Sequence, residues 1–198
     1  MLIKLDSFKN NYLFLLIFII LCIRIVSLYF SPLEVQGDEA QYWYWSTYFD
    51  WGYYSKPPLV AWIIGIFTST FGNSIFILKL PSLLAHFLTS FVLFNLSKAF
   101  NRNTEESLWV SITYLLFFAV SLSSNIISTD PFLLLFWSSS LLFFKICLNK
   151  KSIKNIILTS IFVALGFYAK YAMIYFFLSS VVLISFTDNK KELVKSIL

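Results

Sequence analysis

Two cysteines, one histidine and five glycines are all that 198 residues supply of the types that build disulfide frameworks, histidine metal sites and glycine-rich phosphate loops. Cys22 and Cys147 fall in different apolar segments, so no disulfide scaffold is expected. His86 has no second ligand at helical spacing and reads as an interhelical hydrogen-bonding group. No glycine loop of the soluble nucleotide-binding type is present, which disfavours direct use of a nucleotide. No internal repeat is visible and the polar residues do not collect at mid-span, which puts a transporter last among the readings. Charge is scarce as well, at 13% of residues. The net charge of +5 belongs to loops facing anionic lipid and gives no reason to expect nucleic acid as a partner.

Apolar residues are what the sequence has in abundance: 59% are hydrophobic and 20% aromatic, with a mean hydropathy of +0.78. That is far beyond what a water-soluble core of this size needs and places the chain in a bilayer. Apolar runs lie near residues 12–30, 80–100, 108–127, 132–148, 156–169 and 171–186. A span takes about 20 residues at ~1.5 Å each, so the first four qualify singly and the last two read as a tight helical hairpin. The first run follows Lys4 and Lys9 without a small-x-small cleavage site before Ser31-Pro32, and is expected to be an uncleaved anchor. Leu59 to Phe71 would reach only about 20 Å as a helix, short of the ~30 Å hydrocarbon thickness. If it lies along the surface, the basic residues from Lys4 to Lys195 fall on one side, all but Arg24, Lys56, Lys79 and Lys170. That is the asymmetry the positive-inside rule demands. The expected fold is therefore an all-α integral membrane bundle of about six spans. Both ends of the chain are cytoplasmic, and residues 31–79 form one large external loop carrying surface helices.

In this topology Glu34, Asp38, Glu39, Asp50, Lys56, Asp130 and Lys170 gather at the external membrane face from three separate loops, and such convergence marks a site. Each also has a local explanation. Asp38 follows Gly37 and has Gln41 three residues on, the pattern of a helix N-cap, a role compatible with catalysis. Glu39 would lie in the first turn, where the helix dipole favours an acid. Lys56 precedes Pro57 and Pro58, which stiffen its backbone into a corner, or it snorkels to lipid headgroups. Asp130 in Ser-Thr-Asp-Pro suits capping of the span after Pro131. Lys170 interrupts a long apolar stretch where the hairpin turns, and needs a partner or a ligand. The rings from Tyr42 to Tyr54 read as an interfacial aromatic belt, some of them able to stack on a sugar. Arg24 either pairs with an acid or snorkels outward.

Read together, GDEAQYWYW (Gly37 to Trp45) and DWGYYSKPPL (Asp50 to Leu59) resemble the polyprenyl-phosphate-sugar-dependent membrane glycosyltransferases of the GT-C fold. The likeness is to the group that contains lipid A aminoarabinose transferases and bacterial relatives of protein O-mannosyltransferases. Ser-Thr-Asp-Pro-Phe (Ser128 to Phe132) and Leu-Gly-Phe-Tyr-Ala-Lys (Leu165 to Lys170) are similar to that group's next two motifs, in order. Ser55 stands where relatives often carry an acid, and Gln41 where the lipid A transferases carry arginine.

The resemblance implies an enzyme of a bacterial-type inner membrane, active at the external or periplasmic face. It would move a sugar from a polyprenyl-phosphate donor to a lipid, glycan or protein acceptor in cell-envelope glycan synthesis. By the same resemblance Asp38 is the base of an inverting displacement, Lys56 and Lys170 hold the lipid phosphate, and Glu39 and Asp130 orient substrate or neighbouring loops. Tyr42 and Tyr54 are further substrate contacts. The resemblance names no certain cofactor, and a divalent metal is possible but unsupported by a ligand set. Residues 1–198 are expected to be the N-terminal part of such an enzyme. The alternative is a truncated non-catalytic remnant or membrane subunit that binds polyprenyl phosphate.

Overall fold

The computed structural model describes residues 2–35, 37–150 and 152–185, with residues 2–10 as backbone only. Lys151, Lys190, Lys191, Lys195 and the Phe186 end of the last apolar run lie outside the described residues. Among those described, the regular elements are helical: α1 (Leu2–Tyr29), α2 (Asp38–Trp45), α3 (Leu59–Phe71), α4 (Ile75–Ala99), α5 (Thr104–Leu116), α6 (Phe118–Ser123), α7 (Asp130–Asn149), α8 (Ile153–Ala169) and α9 (Tyr175–Ser185), with a 3-10 turn at Tyr171–Ile174. Asn11–Tyr29 of α1, together with α4 and α7, are long and apolar enough to cross a membrane; α3, α8 and Tyr171–Ser185 are apolar but shorter. The chain is a helical membrane protein.

Local sequence explains several helix ends. Ser74 accepts a hydrogen bond from the Ile77 amide at the start of α4. Asn103 caps α5 by accepting from the Glu106 amide at 2.8 Å while its own amide donates to the Glu106 carboxylate at 3.0 Å. Pro131 occupies the first turn of α7, where its missing N–H has no intrahelical partner to lose.

Helix α4 is the hub, packing against α1, α3, α5 and α7, and α7 in turn packs on α8. Leu13, Ile17 and Ile20 of α1 interlock with Leu108, Ile112 and Leu115 of α5. The α4–α5 seam is lined with small polar groups: Ser111 Oγ donates to the Ser90 carbonyl at 2.7 Å, and His86 Nδ1 meets the Tyr114 hydroxyl at 2.8 Å. Interhelical bonds of this kind replace the hydrophobic drive that lipid does not provide. At one end of the bundle Tyr42 and Trp45 of α2 pack with Val60 and Ile64 of α3, Leu78 of α4, Phe132 of α7 and Ala169 of α8. The two short helices are thereby fastened to the bundle end as one apolar cap.

Two segments differ from the sequence reading. The apolar run from Leu108 to Ile127 is broken at Phe117, whose φ of −62° and ψ of 131° separate α5 from α6. Neither glycine nor proline stands there. A helix break frees backbone carbonyls, and Arg24 of α1 supplies the donors they need. Its guanidinium donates to the Leu115 carbonyl and, at 2.7 Å each, to the hydroxyls of Ser121 and Ser124. Among the described residues Arg24 thus meets no acid, and instead of snorkelling it closes the break between α5 and α6. The second difference is at α8 and α9. The chain reverses sharply at Lys170 (φ −160°, ψ 135°) and the 3-10 turn, yet below it α7, α8 and α9 leave a cavity of about 820 Å³ between Phe144, Val163, Phe167, Phe176 and Ser180.

Candidate active site

Gly37 lets the chain enter α2 with a φ of 50° and a ψ of −121°, a conformation that a side chain would strain. Gly37 itself is the N-cap residue and no side chain caps this helix. The N-cap role read for Asp38 is therefore overturned: Asp38 is the first helical residue, and its carboxylate is turned outward. Its Oδ2 lies 3.5 Å from the ammonium of Lys56, which reaches back from the Lys-Pro-Pro corner. The corner is tied by the Tyr53 amide, which donates to the Lys56 carbonyl at 3.3 Å.

Tyr42, one helical turn beyond Asp38, is buried, and its phenol interacts with the Lys56 ammonium. Burial raises the Tyr42 phenol above its ordinary value, opposed by the charge of Lys56 and reinforced by Asp38 and Asp130. The Lys56 ammonium is likewise held above its usual range, first by the Tyr42 phenol and, against the penalty of desolvation, by Asp38. The proton of each group is therefore retained at neutral pH.

Asp130 repeats the arrangement at the start of α7. Thr129 is the N-cap, again without a side-chain cap bond, so the capping read for Asp130 is overturned too. Instead its Oδ1 meets Lys170 Nζ at 2.5 Å. Lys170 is placed by the reversal after α8, beneath which Gly166 packs closely on Met173. A Cβ there would stand 2.5 Å from the Sδ of the fully buried Met173. Tyr42 shares one buried cluster with Phe132 and Ala169, the near neighbours of Asp130 and Lys170, so the two acid–amine pairs lie at the same end of the bundle.

Asp38, Lys56, Tyr42, Asp130 and Lys170 are thus brought together from three regions of the chain. The other residues singled out go elsewhere. Tyr54 is 99% exposed and Asp50 sits among aromatic rings. Glu39 turns inward: its Oε1 accepts from the Ile127 amide at 2.9 Å and its Oε2 lies 3.4 Å from Lys79. Lys79 also donates to the carbonyls of Leu33 and Glu34 at 3.1 and 3.2 Å. Lys79 is the residue that sequence reasoning passed over; a lysine one turn into an apolar span was the available signal. Among the described residues no three His, Cys, Asp or Glu side chains converge as metal ligands do.

At one end of the bundle two accessible carboxylates can accept a proton, and the ammonium group beside each can hold an anion. Residues 55–198 match the family described as dolichyl-phosphate-mannose-protein mannosyltransferase. The chain belongs to this family. That places it among the membrane glycosyltransferases of the GT-C fold, as the four motifs imply. The matched region of this mannosyltransferase family contains Lys56, Asp130 and Lys170, and begins after Asp38 and Glu39. The chain is also similar to lipid A galacturonosyltransferase RgtD of Rhizobium johnstonii, with 37% identity over 153 residues, 77% of the chain. It spans only 32% of that relative's length. No solved structure matches the chain.

Proposed function

We propose that the chain contributes the catalytic corner of a membrane glycosyltransferase that uses a polyprenyl-phosphate sugar as donor and a lipid, glycan or protein hydroxyl as acceptor. The observation that carries this reading is the placing of the Asp38–Lys56 and Asp130–Lys170 pairs at one end of the bundle, where Tyr42, Phe132 and Ala169 share a buried cluster. A sugar joined through its anomeric carbon to a lipid phosphate needs a base for the incoming hydroxyl and a place for charge to accumulate on the departing phosphate. The Asp38 carboxylate takes the acceptor proton as the acceptor oxygen bonds to the anomeric carbon from the face opposite the phosphate. The carbon–oxygen bond to phosphate breaks in the same step. Its electron pair leaves on the lipid phosphate, where Lys56 and Lys170 receive the added negative charge. One such displacement inverts the anomeric centre. Asp130 orients Lys170, and Glu39 orients α2 against the Ile127 loop. The reading places this corner at the external face of a bacterial-type inner membrane, on a bundle of six spans with residues 31–79 outside.

The test is a lipid-linked sugar transfer assay on membranes holding the full-length protein. Asp38→Asn is expected to lower transfer roughly 10²- to 10⁴-fold, the usual contribution of a positioned general base. Expression and membrane insertion stay at parental levels. Near-parental transfer by that variant removes Asp38 from the chemistry.

A further inference from the structure

Asp50 stands apart from the two acid–amine pairs, in a corner made almost entirely of aromatic rings. Phe49, Asp50, Trp51 and Trp62 enclose a cleft of about 300 Å³. Phe49 stacks on Trp62 with ring centroids 6.2 Å apart and planes 17° from parallel. Trp51 stands edge-on to the same indole, at 5.5 Å and 87°. The Trp62 Nε1–H donates to the Asp50 carbonyl at 2.8 Å, and Asp50 Oδ1 accepts from the Trp51 amide at 2.7 Å. The Trp62 indole is thus tied to the Asp50 backbone and one Asp50 carboxylate oxygen to the Trp51 amide, which leaves the second oxygen as an acceptor.

A membrane-anchoring belt does not account for this geometry. An interfacial tryptophan buries its rings in lipid and offers its N–H to water or headgroups, whereas the Trp62 N–H is already given to the Asp50 carbonyl. The acid is a poor neighbour for anionic headgroups. Trp51 is 80% exposed, so its ring contributes little to core packing. A volume near 300 Å³ is at the low end for ligand sites and suits one small ring, not a lipid chain. A pyranose has the matching chemistry: an apolar C–H face for an indole and a rim of hydroxyl donors for a fixed carboxylate. An amino sugar adds a cation over the rings and beside Asp50. The corner adjoins the candidate active site, since Tyr168 packs on Trp62 at 5.6 Å and lies two residues before Lys170.

We propose that the corner of Phe49, Asp50, Trp51 and Trp62 is a sugar-binding site for one neutral or amino-bearing hexose ring of the acceptor, and that Asp50 turns away uronates. The assignment of that ring to the acceptor rests on the glycosyltransferase reading; the binding itself does not.

The experiment is a titration of tryptophan emission on the full-length protein in nanodiscs, with methyl β-D-glucopyranoside, D-glucosamine and D-glucuronate as probes. The glucoside and glucosamine are expected to give saturable changes, and glucuronate to bind at least about tenfold more weakly because it meets a like charge. Trp51→Ala should weaken glucoside binding on the order of tenfold through loss of the edge ring. Asp50→Asn should bring glucuronate up to the glucoside. Absence of a saturable change with any probe, or a change that survives Trp51→Ala, overturns the site. So does an emission shift produced by phosphatidylglycerol vesicles while the sugars do nothing, because that is an anchor. Loss of transfer in Asp38→Asn without sugar binding at the corner would sink the corner alone. Sugar binding with transfer intact in Asp38→Asn would sink the catalytic assignment alone.

Discussion

Asp38 and Glu39 are neighbours in the chain but point about 100° apart around α2, and each meets a different lysine. Asp38 is 67% exposed and faces Lys56 across 3.5 Å, open to whatever approaches the bundle end. Glu39 is 8% exposed and faces Lys79, itself 1% exposed, across 3.4 Å inside the bundle. An exposed pair of this kind is worth about 0–1 kcal/mol, so either partner can exchange its mate for a substrate group at little cost. A buried pair sacrifices far more when broken, because the remaining charge has no water to turn to. Two adjacent acids therefore divide the work between reactivity and architecture, and burial sets the division. The Glu39 pair also joins the segment at Leu33–Glu34, the start of α2, the body of α4 and the loop at Ile127, the frame on which Asp38 is mounted.

The comparison breaks most visibly at Lys79. Lys79→Met leaves Glu39 buried without its cation and strips a donor from two carbonyls, and is expected to destabilise the fold by about 3–5 kcal/mol. Thermal unfolding in detergent reads this as a large fall in midpoint, with partial recovery in the double variant Lys79→Met/Glu39→Gln. Lys56→Met should change the midpoint far less. Equal midpoints for Lys79→Met and Lys56→Met would show that burial does not separate the two pairs.

A smaller effect is expected at Gly166, where the exposed Asp130–Lys170 pair depends on packing beneath it. Gly166→Ala drives a methyl into Met173, and overpacking of this size costs about 1–3 kcal/mol. Because Lys170 lies between the two, relief of the clash moves the ammonium away from Asp130. Sugar transfer by the full-length enzyme should fall further than the midpoint alone explains. An unchanged midpoint and unchanged transfer would mean that the turn yields freely and does not position Lys170.

Charge is rare in so apolar a chain, so Asp38, Lys56, Asp130 and Lys170 stand out, and the topology read from the asymmetry of basic residues is what puts them on one expected face. Local rules misassigned the caps, since Gly37 and Thr129 take the cap positions and leave each aspartate inside its helix, free to meet a lysine. The Glu39–Lys79 pair was not readable, because Glu39 has a local explanation in the first turn of α2 and meets Lys79 only once α2 lies on α4. Nor was the break at Phe117, which no local glycine or proline marks and which an arginine on α1 closes. The aromatic run from Tyr42 to Tyr54 reads as one belt in sequence. The period of α2 divides it, sending Tyr42 and Trp45 into the core and leaving Tyr44 outside.

The smallest effect, and the sharpest for the exposed pair, is at high pH. Lys56 is held above its ordinary 10.5 by Tyr42 and Asp38, so the folded protein binds that proton more tightly than the unfolded chain does. Its contribution is then fully present below 10.5 and is lost as pH rises from there through the folded value. Tyr42, raised from 10.0 by burial, acts in the same direction, because the unfolded chain releases its proton first. Stability from these two groups should be flat between about pH 7 and 9 and decline above about 10. Lys56→Gln should remove only its own share of that decline, under about 1 kcal/mol for a partly exposed pair. Denaturant unfolding of both forms from neutral to strongly alkaline pH measures the difference in slope. Identical alkaline slopes would mean that Asp38 and Tyr42 do not hold the ammonium. Lys56 would then be a headgroup anchor, and the exposed half of the comparison would lose its order.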